Sequence, residues 1–150
     1  MRRNENIVFL SKDHYFGLIH IWKIKQGIRR KVTLDRIVKY ITFYWENNQK
    51  AHFEEEEQYL FPYLSGELIG KAIEEHKQIR TLIEQIQKIG GIYLIEKYID
   101  LLTQHIRYEE RILFPYIEKN LSDKVLSEIG GKLTKEHHTE IESYADEFWQ

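Results

Sequence analysis

His52-Phe-Glu-Glu-Glu-Glu-Gln-Tyr-Leu-Phe-Pro-Tyr-Leu64 lies over His105-Ile-Arg-Tyr-Glu-Glu-Arg-Ile-Leu-Phe-Pro-Tyr-Ile117, and seven of the thirteen positions agree. The shared pattern is HxxxEExxLFPY. Upstream of each copy an acidic residue precedes a lone histidine, as Asp13-His14 and Glu75-His76. The chain therefore reads as two helical hairpins, each with one lone histidine and one HxxxE. Its two prolines, Pro62 and Pro115, are equivalent in the repeat. A proline inside a helix removes a backbone hydrogen bond and crowds the preceding turn. Each is expected to kink or end its helix just past the motif.

Outward from the repeat, apolar residues recur three and four apart, and no stretch alternates as a strand does. The clearest breaks are Ser65-Gly66, Gly90-Gly91 and Gly130-Gly131. The spacing predicts helices over about 11–30, 33–64, 67–89, 91–120 and 122–148, with Ser11, Thr33 and Ser122 as N-caps. Long helices joined by short loops pack antiparallel. The fold class expected is all-α: an up-down-up-down four-helix bundle with an additional C-terminal helix. One domain spans the chain, with a core bundle of about 11–120 and the extra helix at about 122–148. The predicted inward stripes are His14, Leu18, Ile21 and Ile28; then Leu34, Val38, Ile41, Trp45, Asn48, His52, Glu56, Tyr59 and Tyr63. They continue as Ile69, Ile73, His76, Ile83 and Ile86, then Leu94, Tyr98, Leu102, His105, Glu109, Ile112 and Tyr116.

Composition narrows the function. The 150 residues are 42% hydrophobic and 31% charged, the balance of a folded domain and not of a disordered chain. With no cysteine, thiolate metal sites, cysteine nucleophiles and iron–sulfur clusters are excluded. Lys and Arg total 22 against 24 Asp and Glu. That near-balance gives no electrostatic case for nucleic acid or an anionic membrane. The apolar run Ile7–Leu10 is too short for a signal segment or a membrane span, so a cytoplasmic location is expected.

Six histidines and glutamates interrupt the stripes: His14, His52, Glu56, His76, His105 and Glu109. Residues i and i+4 share a helix face, so each HxxxE offers an imidazole and a carboxylate to one place. Level is an independent test. In antiparallel helices, residues equidistant from the connecting turn sit at one height, and all six fall within about one turn of a common layer. Two carboxylates in an apolar core cost several kcal/mol each unless they are paired or hold a metal. Four neutral imidazoles and two carboxylates carry a charge of about −2, suited to a pair of divalent or trivalent cations. Nitrogen and oxygen donors without sulfur suit iron, manganese or zinc. Each ligating histidine also needs an acceptor for its other ring N–H.

Other candidates are weaker. His138 and Glu142 form a third HxxxE, but without the LFP context. His20 lies off the face of His14, and His137 has no partner at the shared level. The run Glu54–Glu57 is expected to be a solvated face with only Glu56 turned inward.

The pattern His … HxxxEExxLFP … His … HxxxEExxLFP resembles the hemerythrin-like (HHE cation-binding) family over roughly residues 11–120. The resemblance implies two non-haem iron ions, oxo- or hydroxo-bridged, in a four-helix bundle. It also implies His14, His52, His76 and His105 as terminal ligands and Glu56 and Glu109 as bridges. Oxygen-carrying hemerythrins have a further histidine four residues before the third-helix one, where this chain has Ala72, and a longer His-to-Asp spacing on the fourth helix. The chain is thus similar to the four-His, two-Glu branch, which includes bacterial iron–sulfur repair proteins. Those proteins also carry a Cys-containing N-terminal domain that has no counterpart here. No histidine here has a glutamate three residues before it, against the ferritin-like ExxH class. The implied function is handling of O2 or NO by sensing, scavenging or detoxification. The alternative is iron donation or storage for repair of iron centres. A structural metal or haem bundle would leave two buried glutamates without a reason.

Overall fold

A computed structural model of the chain describes residues 2–136 and 143–150, and every regular element among them is helical. The first helix, α1, is Val8–Arg29. The second helical stretch comprises α2 (Leu34–Tyr44), a π turn Trp45–Gln49, α3 (Lys50–Glu55), a π turn Glu56–Leu60 and a 3-10 turn Phe61–Tyr63. The third is α4, Glu67–Lys88. The fourth comprises α5 (Ile92–Tyr108), a π turn Glu109–Leu113 and α6 (Phe114–Asn120). The last helix is α7, Asp123–Glu136.

The helix starts depart from the predicted caps in two of three places. Ser122 Oγ accepts from the Val125 N–H at 3.2 Å, as an N-cap does. Thr33 holds the cap position of α2 but makes no side-chain cap bond. Ser11 lies inside α1, which begins earlier because Ile7 and Leu10 are fully buried. Its hydroxyl instead donates to Glu110 Oε2 at 2.8 Å.

Contacts along neighbouring stretches run in opposite chain directions. From α1 to the fourth stretch, Ser11 meets Glu110 and His20 meets Tyr98. From the second stretch to α4, Glu57 meets His76 and Thr42 meets Gln87. From α4 to α5, Leu68 meets Tyr108 and Glu75 meets His105. The sharp α4–α5 reversal uses Gly90 and Gly91, both at positive φ, 70° and 93°.

The π turns explain where the predicted stripes fail. Each widens the helix by one residue, so the inward face moves one position along. After Trp45–Gln49 the buried residue is Gln49, not Asn48. After Glu56–Leu60 it is Leu60, with Tyr59 half-buried and Tyr63 at the surface. After Glu109–Leu113 it is Leu113 and then Ile117, which leaves Ile112 49% exposed and Tyr116 half-buried. Two of the three turns immediately precede the Phe-Pro pairs. A prolyl nitrogen cannot receive the α-helical bond from the turn before it, and a widened turn relieves the ring clash. The equivalent prolines have different sequels: the chain leaves the helix soon after Pro62, but continues helically to Asn120 after Pro115. Leu18 is a separate correction. It is exposed because Gly17 faces inward, where a Cβ would stand 3.0 Å from Ile106.

The extra helix is also shorter than expected. Residues 143–150 are not helical. Tyr144, Phe148 and Trp149 instead pack on Tyr40 of α2, with ring centroids 5.2–5.5 Å apart. Phe148 lies so close to Gly27 that a Cβ there would meet its ring at 2.6 Å. Arg36 anchors the same tail through a bidentate pair with Asp146 at 2.6 and 2.9 Å. His137, His138 and Glu142 lie outside the described residues. Among the described residues, no helix is long and apolar enough to cross a membrane.

Because Phe148 is almost fully buried against α1 and α2, Phe148→Ala should destabilise the protein by about 3–5 kcal/mol. Urea unfolding followed by circular dichroism measures the loss. An unchanged midpoint would show that the tail contributes nothing to the core.

Candidate metal centre

Six side chains from all four major helical stretches meet in one buried layer. Their ligand atoms fall into two groups, His14, His52, Glu56 and Glu109, and Glu56, His76, His105 and Glu109. Within each group the atoms lie within 4.8 Å of one another, and both glutamates belong to both groups. Glu56, Glu109 and His76 have no exposed surface, and His14, His52 and His105 are also buried. These are the six residues singled out in the sequence. Motif spacing brings His52 to 3.4 Å from Glu56 and His105 to 3.3 Å from Glu109 along their own helices. The other contacts cross between helices, with His14 Nε2 2.8 Å from Glu109 Oε1 and His76 Nε2 3.0 Å from Glu56 Oε1.

Short distances here do not mean satisfied groups. Among the described residues, His52, His76 and His105 each leave Nε2 without a hydrogen bond, as do both oxygens of Glu56 and Oε2 of Glu109. The contacts are close but misaligned: lone pairs point into shared space rather than at a donor hydrogen. Six orphaned polar atoms in one dry layer would be costly in an ordinary core. They are the arrangement a cation requires, and nitrogen with carboxylate oxygen suits iron, manganese or zinc.

A second ring of carboxylates holds the histidines from outside. Asp13 lies 2.8 Å from His52 Nδ1, Glu57 2.6 Å from His76 Nδ1, Glu75 2.8 Å from His105 Nδ1 and Glu110 3.0 Å from His14 Nδ1. Each bond runs from one helical stretch to the next, so the four close a circuit around the layer. In each, the Nδ1–H donates and the carboxylate accepts, which turns Nε2 and its lone pair inward. This corrects the reading of Glu54–Glu57 as a solvated face. Glu54 is exposed, but Glu55 is buried, and Glu57 bonds both His76 and Arg80. Sequence reasoning missed Glu57 and Glu110 as functional residues. The signal was present, since the second glutamate of HxxxEE recurs in both copies.

Without a cation, protons balance the layer. Burial pulls the His52 imidazole down, but Glu56 and Asp13 outweigh it and hold it well above its ordinary value. The same contest leaves His105 raised to about 10, by Glu109 and Glu75 against burial. His14 is also raised, by Glu109 and Glu110 against burial. Burial would lift Glu109, but His105 and His14 hold its carboxyl well below the usual range. Burial likewise opposes the lowering of Glu57, which His76 and Arg80 bring down to about 2.

Two outcomes follow from this geometry. A cation must displace the protons on these raised histidines, so binding should release protons and weaken steadily as pH falls from 8 toward 5. Metal titrations across that range, with proton release read by an indicator dye, measure both effects. Affinity that does not change with pH would contradict the proton-balanced layer. Asp13→Asn and Glu75→Gln should each weaken metal binding by about 10–100-fold, because each loosens one histidine. Asp35→Asn, on an exposed ion pair with Lys39, should leave affinity unchanged in a chelator competition.

The profile of the hemerythrin HHE cation binding domain matches residues 20–117, which include five of the six residues; His14 lies before the matched span. No curated protein and no solved structure matches the chain. With its profile match covering more than half of the sequence, the chain belongs to the hemerythrin HHE cation-binding domain family.

Proposed function

We propose that the buried layer holds two iron ions and that the protein binds and handles O2 or NO there. The carrying observation is the pair of donor groups that share both glutamates. One position would be held by His14 and His52, the other by His76 and His105, with Glu56 and Glu109 spanning both. Such an iron pair supplies a redox-active, electrophilic centre for a small neutral ligand. The same reading takes the chain as one domain, an up-down-up-down four-helix bundle with an additional C-terminal helix. The opposed helix contacts support that arrangement.

The chain's own residues set what this centre can do. Asp13, Glu57, Glu75 and Glu110 orient the four imidazoles and fix which ring nitrogen faces inward. Ala72, where oxygen carriers have a histidine, is fully buried in an apolar cluster with Leu60, Phe61, Ile69 and Leu113. Neither Ala72 nor these neighbours offers a ligand atom, so that side would leave a coordination position to an exogenous ligand. Their apolar surface keeps water out and suits an uncharged diatomic. Complete burial of Glu56, Glu109 and His76 favours retained iron over iron donated to a client, the alternative reading.

Elemental analysis of reconstituted protein should give two iron ions per chain. Glu56→Gln or Glu109→Gln should remove most of that iron, because each carboxylate serves both positions, while His138→Ala should not. Nitric oxide added without air to the reduced, iron-loaded protein should change its visible spectrum. One iron per chain would overturn the two-metal reading. A silent spectrum, with ferrous iron passing readily to a chelator, would overturn the gas-handling reading and favour donation.

A further inference from the structure

His20 belongs to a second buried polar cluster that the proposed iron site does not use. It is 1% exposed and stacks on Tyr44 with ring centroids 3.8 Å apart. Its Nε2 lies 2.9 Å from the Tyr98 hydroxyl, and that hydroxyl donates to Gln49 Oε1 at 3.0 Å. A hydroxyl has a single hydrogen. With that hydrogen given to Gln49, Tyr98 can only accept from His20. His20 Nε2 therefore carries the proton, and Nδ1 keeps the lone pair. Burial, helped by Lys23, holds the imidazole well below its ordinary value, so the ring is neutral.

Among the described residues, two polar atoms remain without partners beside this cluster, His20 Nδ1 and Asn48 Nδ2, and both are shielded from solvent. One is an acceptor and the other a donor. Both residues line the same cavity of about 20 Å³, together with Tyr40, Tyr44 and Tyr144. A cavity needs only about 10–15 Å³ to hold one water, provided polar partners are present. A single water that accepted from Asn48 and donated to His20 Nδ1 would satisfy both atoms. The π turn Trp45–Gln49 builds the arrangement, sending Gln49 inward to Tyr98 and leaving Asn48 at the cavity. It ends three residues before His52.

We propose that this cavity binds one water molecule, which completes a one-directional hydrogen-bond chain from Asn48 through the water, His20 and Tyr98 to Gln49. The water satisfies the Nδ1 lone pair that this tautomer leaves and holds Asn48, in the π turn that leads into His52. The ligand class is a single neutral molecule of water's size that both accepts and donates. An anion would find a lone pair at Nδ1, and a cation would find the Asn48 amide hydrogens.

Nitrogen-15 NMR of the full chain, metal-free and with diamagnetic zinc, tests the proposal. The His20 ring should show a protonated Nε2 and an unprotonated, hydrogen-bonded Nδ1. A cross-peak should connect the ring to a long-lived water. Asn48→Leu fills the cavity, and should abolish that cross-peak and move Nδ1 to the shift of an unbonded acceptor. An Nδ1-protonated tautomer, or the absence of any bound water beside His20, would overturn the proposal. The wild-type spectra alone decide the matter if Asn48→Leu does not fold.

Discussion

Two carboxylates with no exposed surface, set among four imidazoles in one layer, are the constraint on which the rest of the molecule depends. Glu56 and Glu109 would each cost several kcal/mol to bury unpaired, and two together also repel. The fold answers with an imidazole at the same level on every neighbouring helical stretch. In the metal-free protein protons on His14, His52 and His105, raised by the carboxylates beside them, offset that charge, and a cation would take their place. Each histidine also bonds outward through Nδ1 to Asp13, Glu57, Glu75 or Glu110. The carboxylates therefore organise three shells from inside out, and the apolar clusters above and below the layer keep water from dissolving the arrangement.

The same layer accounts for the irregular helices. An α-helix places i and i+4 on one face, which is enough for His52 with Glu56 and for His105 with Glu109. The prolines then require the helix to widen, and in both copies the widened turn begins at the motif glutamate, Glu56 or Glu109. Regular α-helix precedes that residue, so the HxxxE spacing is preserved. The irregularity falls on the following residues, where Leu60 and Leu113 are rotated into the apolar lid. Proline, π turn and lid are thus one device that closes the layer immediately beyond its ligands.

This division decides what was legible in the sequence. The six inward polar residues could be read because their spacing lies in α-helical segments, where periodicity and level are reliable guides. The stripe predictions failed one position later, at Asn48, Tyr59, Ile112 and Tyr116, because an α period cannot anticipate an added residue. The proline repeat marked the neighbourhood of two π turns but not their register. The third π turn, Trp45–Gln49, has no proline and left no mark. Glu57 and Glu110 were visible as repeated letters, but a charge run beside a buried glutamate reads as surface until a neighbouring helix is placed against it. The C-terminal tail was misread for a related reason. Tyr144, Phe148 and Trp149 have helical spacing, yet a vacancy over Gly27 and the ring of Tyr40 take them out of the helix.

The outer ring also carries the twofold character of the sequence further than the motif does. Asp13 and Glu75 each precede a lone histidine, yet each bonds the motif histidine of the next helix, His52 or His105. Glu57 and Glu110 each follow the buried motif glutamate, and each bonds a lone histidine, His76 or His14. Both of the latter also meet an arginine, Arg80 or Arg3. These arginines are not equivalent in the repeat: Arg80 lies one turn beyond His76, whereas Arg3 lies before α1. A carboxylate shared with a guanidinium polarises its histidine less than one that faces the imidazole alone. Each donor group contains one such histidine, His14 in one and His76 in the other. The two contacts differ in strength: Arg80 donates to both oxygens of Glu57 at 2.9 and 3.1 Å, whereas Arg3 lies 3.8 Å from Glu110 Oε1. What the fold holds in common between its halves is the carboxylate on each imidazole, and the cation behind two of those carboxylates comes from a different place in the chain where the repeat ends.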